Sequence, residues 1–341
     1  MINKCDCKSI HVFDIDKIKH KKVINNFESF LFCIINYLNV NSLWICKAVK
    51  VFLFKKVGCL VGWSKVFLLL FCEISVFRKF VYVNLLLYIC KKQMIMDFIK
   101  NRRTIRNYQQ KDIPTELLNQ LLEEAFRAST MGNMQLYSVV VTRSTEMKAK
   151  LAPSHFNQPM VTKAPVVLTF CADFNRFSKW CEFREAQPGY DNPISFLNAA
   201  SDTLLVTQNF CTLAEAHGLG ICYLGTTIYN PDQIIDTLQL PKLVMPVATI
   251  TVGYPDEEPV QTDRLPLEGI LHEEVYSDYT RGQIDRIYAF KESLPENHRF
   301  IAENGKTTLA QVFTDVRYKK ADNEFMSNNL KNTLKKQGFD K

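Results

Sequence analysis

The chain has 341 residues, which is enough for one large domain or two ordinary ones. Its formal charge of +7 is unevenly distributed, because residues 1–95 hold 15 of the 42 Lys and Arg but only 5 of the 35 Asp and Glu. Residues 1–95 therefore carry +10 and residues 96–341 carry −3, so the second part gives no electrostatic reason to expect a nucleic-acid partner.

The first 95 residues have an unusual composition. They contain none of the 13 prolines, only two glycines, and seven of the 11 cysteines. Their apolar runs, such as FVYVNLLLYIC at 80–90, are interrupted by charge before they reach the roughly 20 residues that a membrane span needs. We expect that translation begins at Met94 or Met96 and that residues 1–95 are not part of the functional fold. The alternative is a genuine membrane anchor.

From Met96 onward, the apolar spacing predicts alternating helices and strands. A short helix is expected to end near Arg103, and Thr115 is the predicted N-cap of a strong amphipathic helix. Runs of β-branched and apolar residues predict strands over 137–143, 164–173, 221–227 and 245–255. Further helices are predicted over 195–220, from Pro231, and over 321–338.

The helix predicted over 195–220 is the longest. Its residues are apolar or small on nearly every side, which predicts a central, buried position, and Gly218 is its expected C-terminal stop. Four cysteines of the second part are scattered singly, with no CxxC pair and no metal spacing. Isolated thiols of this kind favour a reduced, cytoplasmic compartment.

The sequence contains none of the common catalytic motifs. No GxGxxG follows a predicted strand, and there is no P-loop, HExxH, GxSxG or EF-hand pattern. If the protein is an enzyme, its chemistry is therefore expected to come from a bound cofactor.

A cluster of arginines follows the first predicted helix. Arg102, Arg103 and Arg106 fall within five residues, and Thr104 adds a hydroxyl donor. Guanidinium groups suit phosphate oxygens, so this cluster is a candidate anion site, and Arg264 is a second candidate. The alternatives are a solvated helix end for the cluster and a lone loop charge for Arg264.

Four motifs in order resemble the FMN-dependent nitroreductase family, and in particular the large NADPH-dependent, oxygen-insensitive nitroreductases and related flavin reductases. They are RRTIR (102–106), ASTMGNMQ (128–135), FCADFNR (170–176) and YLGTT (223–227), and RLP (264–266) and KKQGF (335–339) also fit. The resemblance runs from about Met96 to Lys341. It implies an α+β fold with a mostly antiparallel central sheet flanked by helices, in an intertwined homodimer that holds FMN at the subunit interface.

The resemblance also implies roles for individual residues. Arg102, Arg103, Thr104 and Arg106 are expected along the FMN phosphate and ribityl chain, and Arg264 is expected to complete the phosphate site. The loop that reaches the flavin, partly from the other subunit, is expected to present Ser129, Thr130, Met131 and Asn133, with Gln135 just behind it. Gln158 is expected near the pyrimidine edge, and the N5 side of the ring is expected to be lined by Tyr223, Leu224, Gly225 and Thr226.

Taken singly, some of these residues have simpler interpretations. Gln158 could be an exposed loop amide, and Tyr223 and Leu224 could be ordinary core residues. The chain also departs from the family where a lysine is common before the last arginine, since Thr262 and Asp263 stand there. The preference for NADPH or NADH therefore stays open.

The implied activity is a ping-pong oxidoreductase in which NAD(P)H reduces FMN and a nitroaromatic, a quinone or free flavin is then reduced. No protein nucleophile or metal ligand is needed. One alternative is a flavin reductase that supplies reduced FMN to a partner, and another is a membrane-attached, non-enzymatic binding protein.

Overall fold

A computed structural model of the chain describes residues 99–341. The expectations about residues 1–95, Met94 and Met96 concern a part of the sequence outside this range. Among the helices of residues 99–341, none has the length and hydropathy needed to cross a bilayer.

Four antiparallel strands form one sheet. They are β1 (Tyr137–Thr142), β2 (Val166–Asp173), β3 (Gly220–Leu224) and β4 (Val244–Gly253), arranged in the order β1-β2-β4-β3. Every residue of the two central strands is buried, which explains their continuous apolar runs. The four predicted strands and the predicted antiparallel sheet are confirmed.

Helices flank the sheet and extend beyond it. They are α1 (Thr115–Ala125), α2 (Thr145–Leu151), α3 (Pro159–Lys163), α4 (Asn175–Glu182), α5 (Pro193–Ala216), α6 (Pro231–Leu238), α7 (Arg281–Ser293), α8 (Pro295–Glu303), α9 (Leu309–Val312) and α10 (Lys320–Gln337). Helix α1 begins at Thr115 itself, and Pro114 occupies the N-cap without a side-chain hydrogen bond. The predicted cap position was therefore wrong by one residue.

The main core lies between the sheet and helices α1 and α5. Leu121 of α1, Phe170 of β2 and Phe210 of α5 are all fully buried there. Helix α5 ends where predicted, because Gly218 adopts a φ of +75° just after it.

Helix α5 is buried on one face only in the single chain. Leu197, Leu204 and Leu205 are 58%, 43% and 50% exposed, whereas Ala199 and Phe210 are fully buried. The expectation that this helix is buried all round was therefore wrong for the isolated chain. Apolar residues on its outer face form an uncovered stripe.

The arginine segment, residues 102–109, is extended rather than helical. Ile105 donates its N–H to the carbonyl of Ile221 in β3 at 3.0 Å, and Gln109 donates to Tyr254 just after β4 at 2.9 Å. Ile105 lies directly over Gly220, where an added Cβ would come within 2.6 Å of its side chain. The segment therefore follows the outer edge of the sheet, and Arg102 and Arg106 do not share a helix face.

Candidate functional site

The guanidinium groups of the arginine segment have carboxylate neighbours. Arg102 Nε lies 3.3 Å from Glu215 Oε1, and Arg103 Nη1 lies 2.5 Å from Glu258 Oε1. Arg106 has an exposed side chain, and its backbone N–H donates to Glu257 Oε1 at 2.5 Å. Thr104, between them, is half-buried. The chain thus presents three cations along one edge of the sheet, two of them already paired.

Burial and hydrogen bonding perturb the acidic neighbours in opposite directions. Burial raises the pKa of Glu215 to about 7, and the positive charge of Arg102 opposes that shift. Hydrogen bonds, first from the backbone N–H of Arg106 and then from Asn107, lower the pKa of Glu257. Glu215 is therefore a poorly solvated carboxylate whose charge depends on Arg102.

The loop that carries Arg264 is bound to the arginine segment. Glu257 and Glu258 contact it as described, and Gln261 Nε2 donates to the carbonyls of Lys100 and Arg102. Arg264 itself is exposed, and its Nη1 donates to Thr262 Oγ1 at 3.0 Å and to the carbonyl of Asp263 at 2.8 Å. The loop therefore brings Arg264 to the neighbourhood of the cluster, while its guanidinium contacts its own turn.

A buried aspartate organises the second predicted loop. Asp202 of α5 is 3% exposed and accepts from Thr130 Oγ1 at 2.5 Å, from Met131 N at 2.9 Å and from Leu136 N at 3.3 Å. The remaining predicted residues of this loop are exposed: Ser129, Met131, Asn133 and Gln135. The loop is thus rigidly held at its base and presents its tip to the outside.

Asp202 was not predicted from the sequence. Its only signal was an isolated carboxylate in an otherwise apolar or small helical run. Such a residue is seldom buried without hydrogen-bond partners, so the position could have been identified as a candidate for a structural acceptor.

The third group of predicted site residues, after the arginines and the loop at 129–135, comprises Gln158 and the end of β3. Gln158 is half-buried and caps α3, three residues after His155. His155 is fully buried, and its Nδ1 lies 2.8 Å from Thr226 Oγ1. Leu224 is buried in the core as its simpler interpretation required, whereas Tyr223 is 40% exposed. An added Cβ at Gly225 would have no neighbour within 4 Å, so the backbone there borders open space.

These contacts join two of the three groups into one band. The arginine segment bonds to β3 at Ile221, β3 leads to Tyr223–Thr226, and His155 connects that turn to Gln158. Within residues 99–341, no hydrogen bond joins the loop at 129–135 to this band. That loop borders a separate cavity of about 400 Å³, which none of the predicted arginines lines; the cavity is bounded by Leu122, Phe126, Met134, Gln135, Tyr137, Ser138, Val139 and Arg176.

The described part of the chain offers no ready metal centre. No group of three or more His, Cys, Asp or Glu in residues 99–341 is arranged to hold a metal ion. The cysteines there, Cys171, Cys181, Cys211 and Cys222, are free and buried.

Comparisons with known proteins agree with the motifs. Residues 99–254 match the sequence model of the nitroreductase family. The FMN reductase [NAD(P)H] of Bacillus subtilis (strain 168) is 29% identical over 255 residues, which are 72% of this chain and 97% of that protein. The FMN reductase (NADPH) of the same strain is 32% identical over 184 residues, covering 53% of this chain and 74% of its own.

Solved structures share the fold over the same proportion of the chain. An oxidoreductase from Bacteroides fragilis NCTC 9343, known from a crystal structure, is 70% identical in sequence to this chain. The match covers 72% of this chain and 100% of that protein, with a TM-score of 0.71. The NfrA1 nitroreductase of Bacillus subtilis is 27% identical over 72% of this chain and 98% of its own, with a TM-score of 0.65. An antiparallel sheet flanked by helices, an arginine segment along its edge and these similarities lead to one conclusion: the chain belongs to the nitroreductase family.

Proposed function

We propose that residues 96–341 bind FMN and use NAD(P)H to reduce nitroaromatics, quinones or free flavin. The observation that carries this proposal is the band of the arginine segment, β3 and the open turn at Gly225. It combines cationic groups suited to a phosphate with a stretch of exposed backbone suited to a flat ring. The proposal also agrees with the relatives, two of which are named FMN reductases and one a nitroreductase.

The donor set fits a phosphorylated ligand. Three guanidinium groups lie within five residues, and the Arg264 loop is hydrogen-bonded to the same segment. Arg103 Nε is buried and has no hydrogen-bond partner within residues 99–341. A phosphate would give these groups a dianionic partner, which binds a guanidinium fork more strongly than a single carboxylate oxygen does.

The turn after β3 fits the ring. Glycine at position 225 removes the side chain that would keep the backbone away from a planar ligand. Gln158 and the amide groups of the turn supply hydrogen-bond donors for the edge of the ring, and Tyr223 supplies a partly exposed aromatic side chain just before the turn. When bound, FMN supplies the redox chemistry, because it accepts a hydride equivalent from NAD(P)H and returns two electrons to a second substrate.

One spectroscopic experiment tests the proposal. The purified protein is expected to be yellow with flavin absorption bands, and NADPH under nitrogen should bleach them until nitrofurazone is added. A colourless protein that binds no added FMN would overturn the proposal and leave the arginines as surface cations.

A flavin reductase is the second candidate function. It is favoured because two of the relatives are named FMN reductases. Steady-state rates with free FMN and with nitrofurazone as acceptors separate the two functions. Saturation by micromolar free FMN, with slow turnover of nitrofurazone, would identify a flavin reductase.

We further propose that two copies form the intertwined homodimer. The exposed stripe of α5, formed by Leu197, Leu204 and Leu205, is an apolar surface of the kind that subunit interfaces cover. Asp202 of the same helix holds the base of the loop at 129–135, so the exposed tip of that loop would be available to a second copy. Leu204→Glu is expected to give a monomer by light scattering and to lose FMN. The control Glu123→Ala, on the exposed face of α1, should remain a dimer.

Two proposals concern the whole protein. The free, buried cysteines suit a reducing compartment, so we place the protein in the cytoplasm, which fractionation of the native cells would test. We also propose that translation begins at Met94 or Met96, so that residues 1–95 lie outside the functional fold. An intact mass of the natural protein that includes residues 1–93 would contradict this start.

A further inference from the structure

His155 is a buried side chain for which the proposed function gives no role. It is fully buried in the short turn 152–155. Its Nδ1 lies 2.8 Å from Thr226 Oγ1, 71 residues away along the chain. Its Nε2 is buried and has no hydrogen-bond partner in residues 99–341.

A neutral His155 ring can form its hydrogen bond with Thr226 in two ways, because Nδ1 either donates to the hydroxyl or accepts from it. Burial lowers the pKa of His155 to about 4, so the ring carries one proton at physiological pH. If Nε2 carried that proton, a buried N–H would have no acceptor, which proteins avoid more strictly than an unused acceptor lone pair. The Nδ1–H tautomer leaves only a lone pair at Nε2, and its N–H donates to Thr226 Oγ1.

The choice of tautomer decides what Thr226 can do. A hydroxyl that accepts from Nδ1–H keeps its own proton for another acceptor. Thr226 directly follows Gly225, the residue whose backbone borders open space. With the opposite tautomer, the hydroxyl proton would be consumed by Nδ1 and would be lost to any ligand at this turn.

We propose that His155 is a positioning residue that donates from Nδ1–H to Thr226 and so leaves the Thr226 hydroxyl as a hydrogen-bond donor to the flavin bound beside Gly225. This inference rests on the proposed function, because it requires FMN at the turn. His155 also connects the Gln158 turn to the same site, so one buried ring fixes the two segments relative to each other.

The tautomer can be read directly in the holoprotein. In ¹⁵N-labelled protein, one-bond N–H coupling identifies which ring nitrogen of His155 carries the proton. A proton at Nδ1 is expected, and a proton at Nε2 would overturn the proposal even if every variant below failed to fold.

Matched variants test the consequence for the cofactor. Asn at position 155 places an amide donor where Nδ1 lies, whereas Gln places it near the Nε2 position. We expect His155→Asn and Thr226→Ser to retain FMN affinity within about twofold, and His155→Gln and Thr226→Val to weaken it about fivefold to tenfold, the ratio expected for one lost hydrogen bond. The dissociation constants follow from quenching of FMN fluorescence.

A double variant separates positioning from simple structural support. If His155 acts through the Thr226 hydroxyl, adding His155→Gln to Thr226→Val should not weaken FMN binding further. Additive losses, or equal affinities for His155→Asn and His155→Gln, would refute the proposal. Wild-type protein that binds no FMN would instead refute the proposed function itself.

Discussion

Replacing Asp202 by alanine should both destabilise the fold and release the loop at 129–135. The carboxylate accepts from three donors, at 2.5 Å from Thr130 Oγ1, 2.9 Å from Met131 N and 3.3 Å from Leu136 N. A hydrogen bond to a charged acceptor contributes about 1.5–3 kcal/mol. Because the three share one side chain they are not additive, so we expect the free energy of unfolding to fall by about 3–5 kcal/mol.

Urea denaturation followed by tryptophan fluorescence measures that loss. Hydrogen exchange at the amides of Met131 and Leu136 should accelerate in the same variant, since both amides lose their acceptor. The matched control is Ser201→Ala, the preceding residue of α5, which is exposed and should cost about 0.5 kcal/mol or less. If Asp202→Ala and Ser201→Ala had equal urea midpoints, the carboxylate would not be the anchor of this loop.

Three further predictions concern the arginine segment. The double variant Arg106→Ala, Arg264→Ala should bind FMN at least about 100-fold more weakly, because each lost charge-assisted hydrogen bond contributes about 1.5–3 kcal/mol. Unchanged FMN affinity in a fluorescence titration would place both side chains in bulk water. Gly220→Val should lower the melting temperature markedly, since even a Cβ would lie 2.6 Å from Ile105 Cγ1; an unchanged melting temperature would mean that Ile105 moves away at little cost. Burial raises the pKa of Glu215 from 4.5 to about 7. The neutral carboxyl group therefore contributes to stability below pH 4.5, and this contribution is lost as the pH rises to 7. Over this range the urea midpoint of the FMN-free protein should fall less in Glu215→Gln than in the wild type, and parallel profiles would contradict that.

The sheet and its main helices could be predicted from the sequence because their patterns are long. β2 is buried on both faces, so the continuous apolar run over 166–173 was sufficient. Helices α2, α3, α4 and α9 were not predicted, because segments of four to eight residues are too short to display a helical period. Helices α7 and α8 were also not predicted, because they bury only Ile287 between them and so show no apolar face. Tertiary contacts, rather than propensity, determine such segments.

The site was predictable in its residues but only partly in its geometry. RRTIR identified the arginines, yet a continued helix and an extended strand are both compatible with that sequence. The contacts of Ile105 with Ile221 and Gly220, more than 100 residues away, decide the matter. Asp202 and His155 escaped prediction for the same reason, since their partners Thr130 and Thr226 lie 72 and 71 residues away.

Arg106 lies between two anchored backbone positions, because Ile105 bonds to Ile221 in β3 and Gln109 bonds to Tyr254 just after β4. Extended backbone advances about 3.3 Å per residue, so a single inserted residue between these anchors would displace Arg106 by more than the range over which a hydrogen bond survives. A deletion would do the same in the other direction. Evolution can therefore exchange side chains along this stretch far more freely than it can change its length.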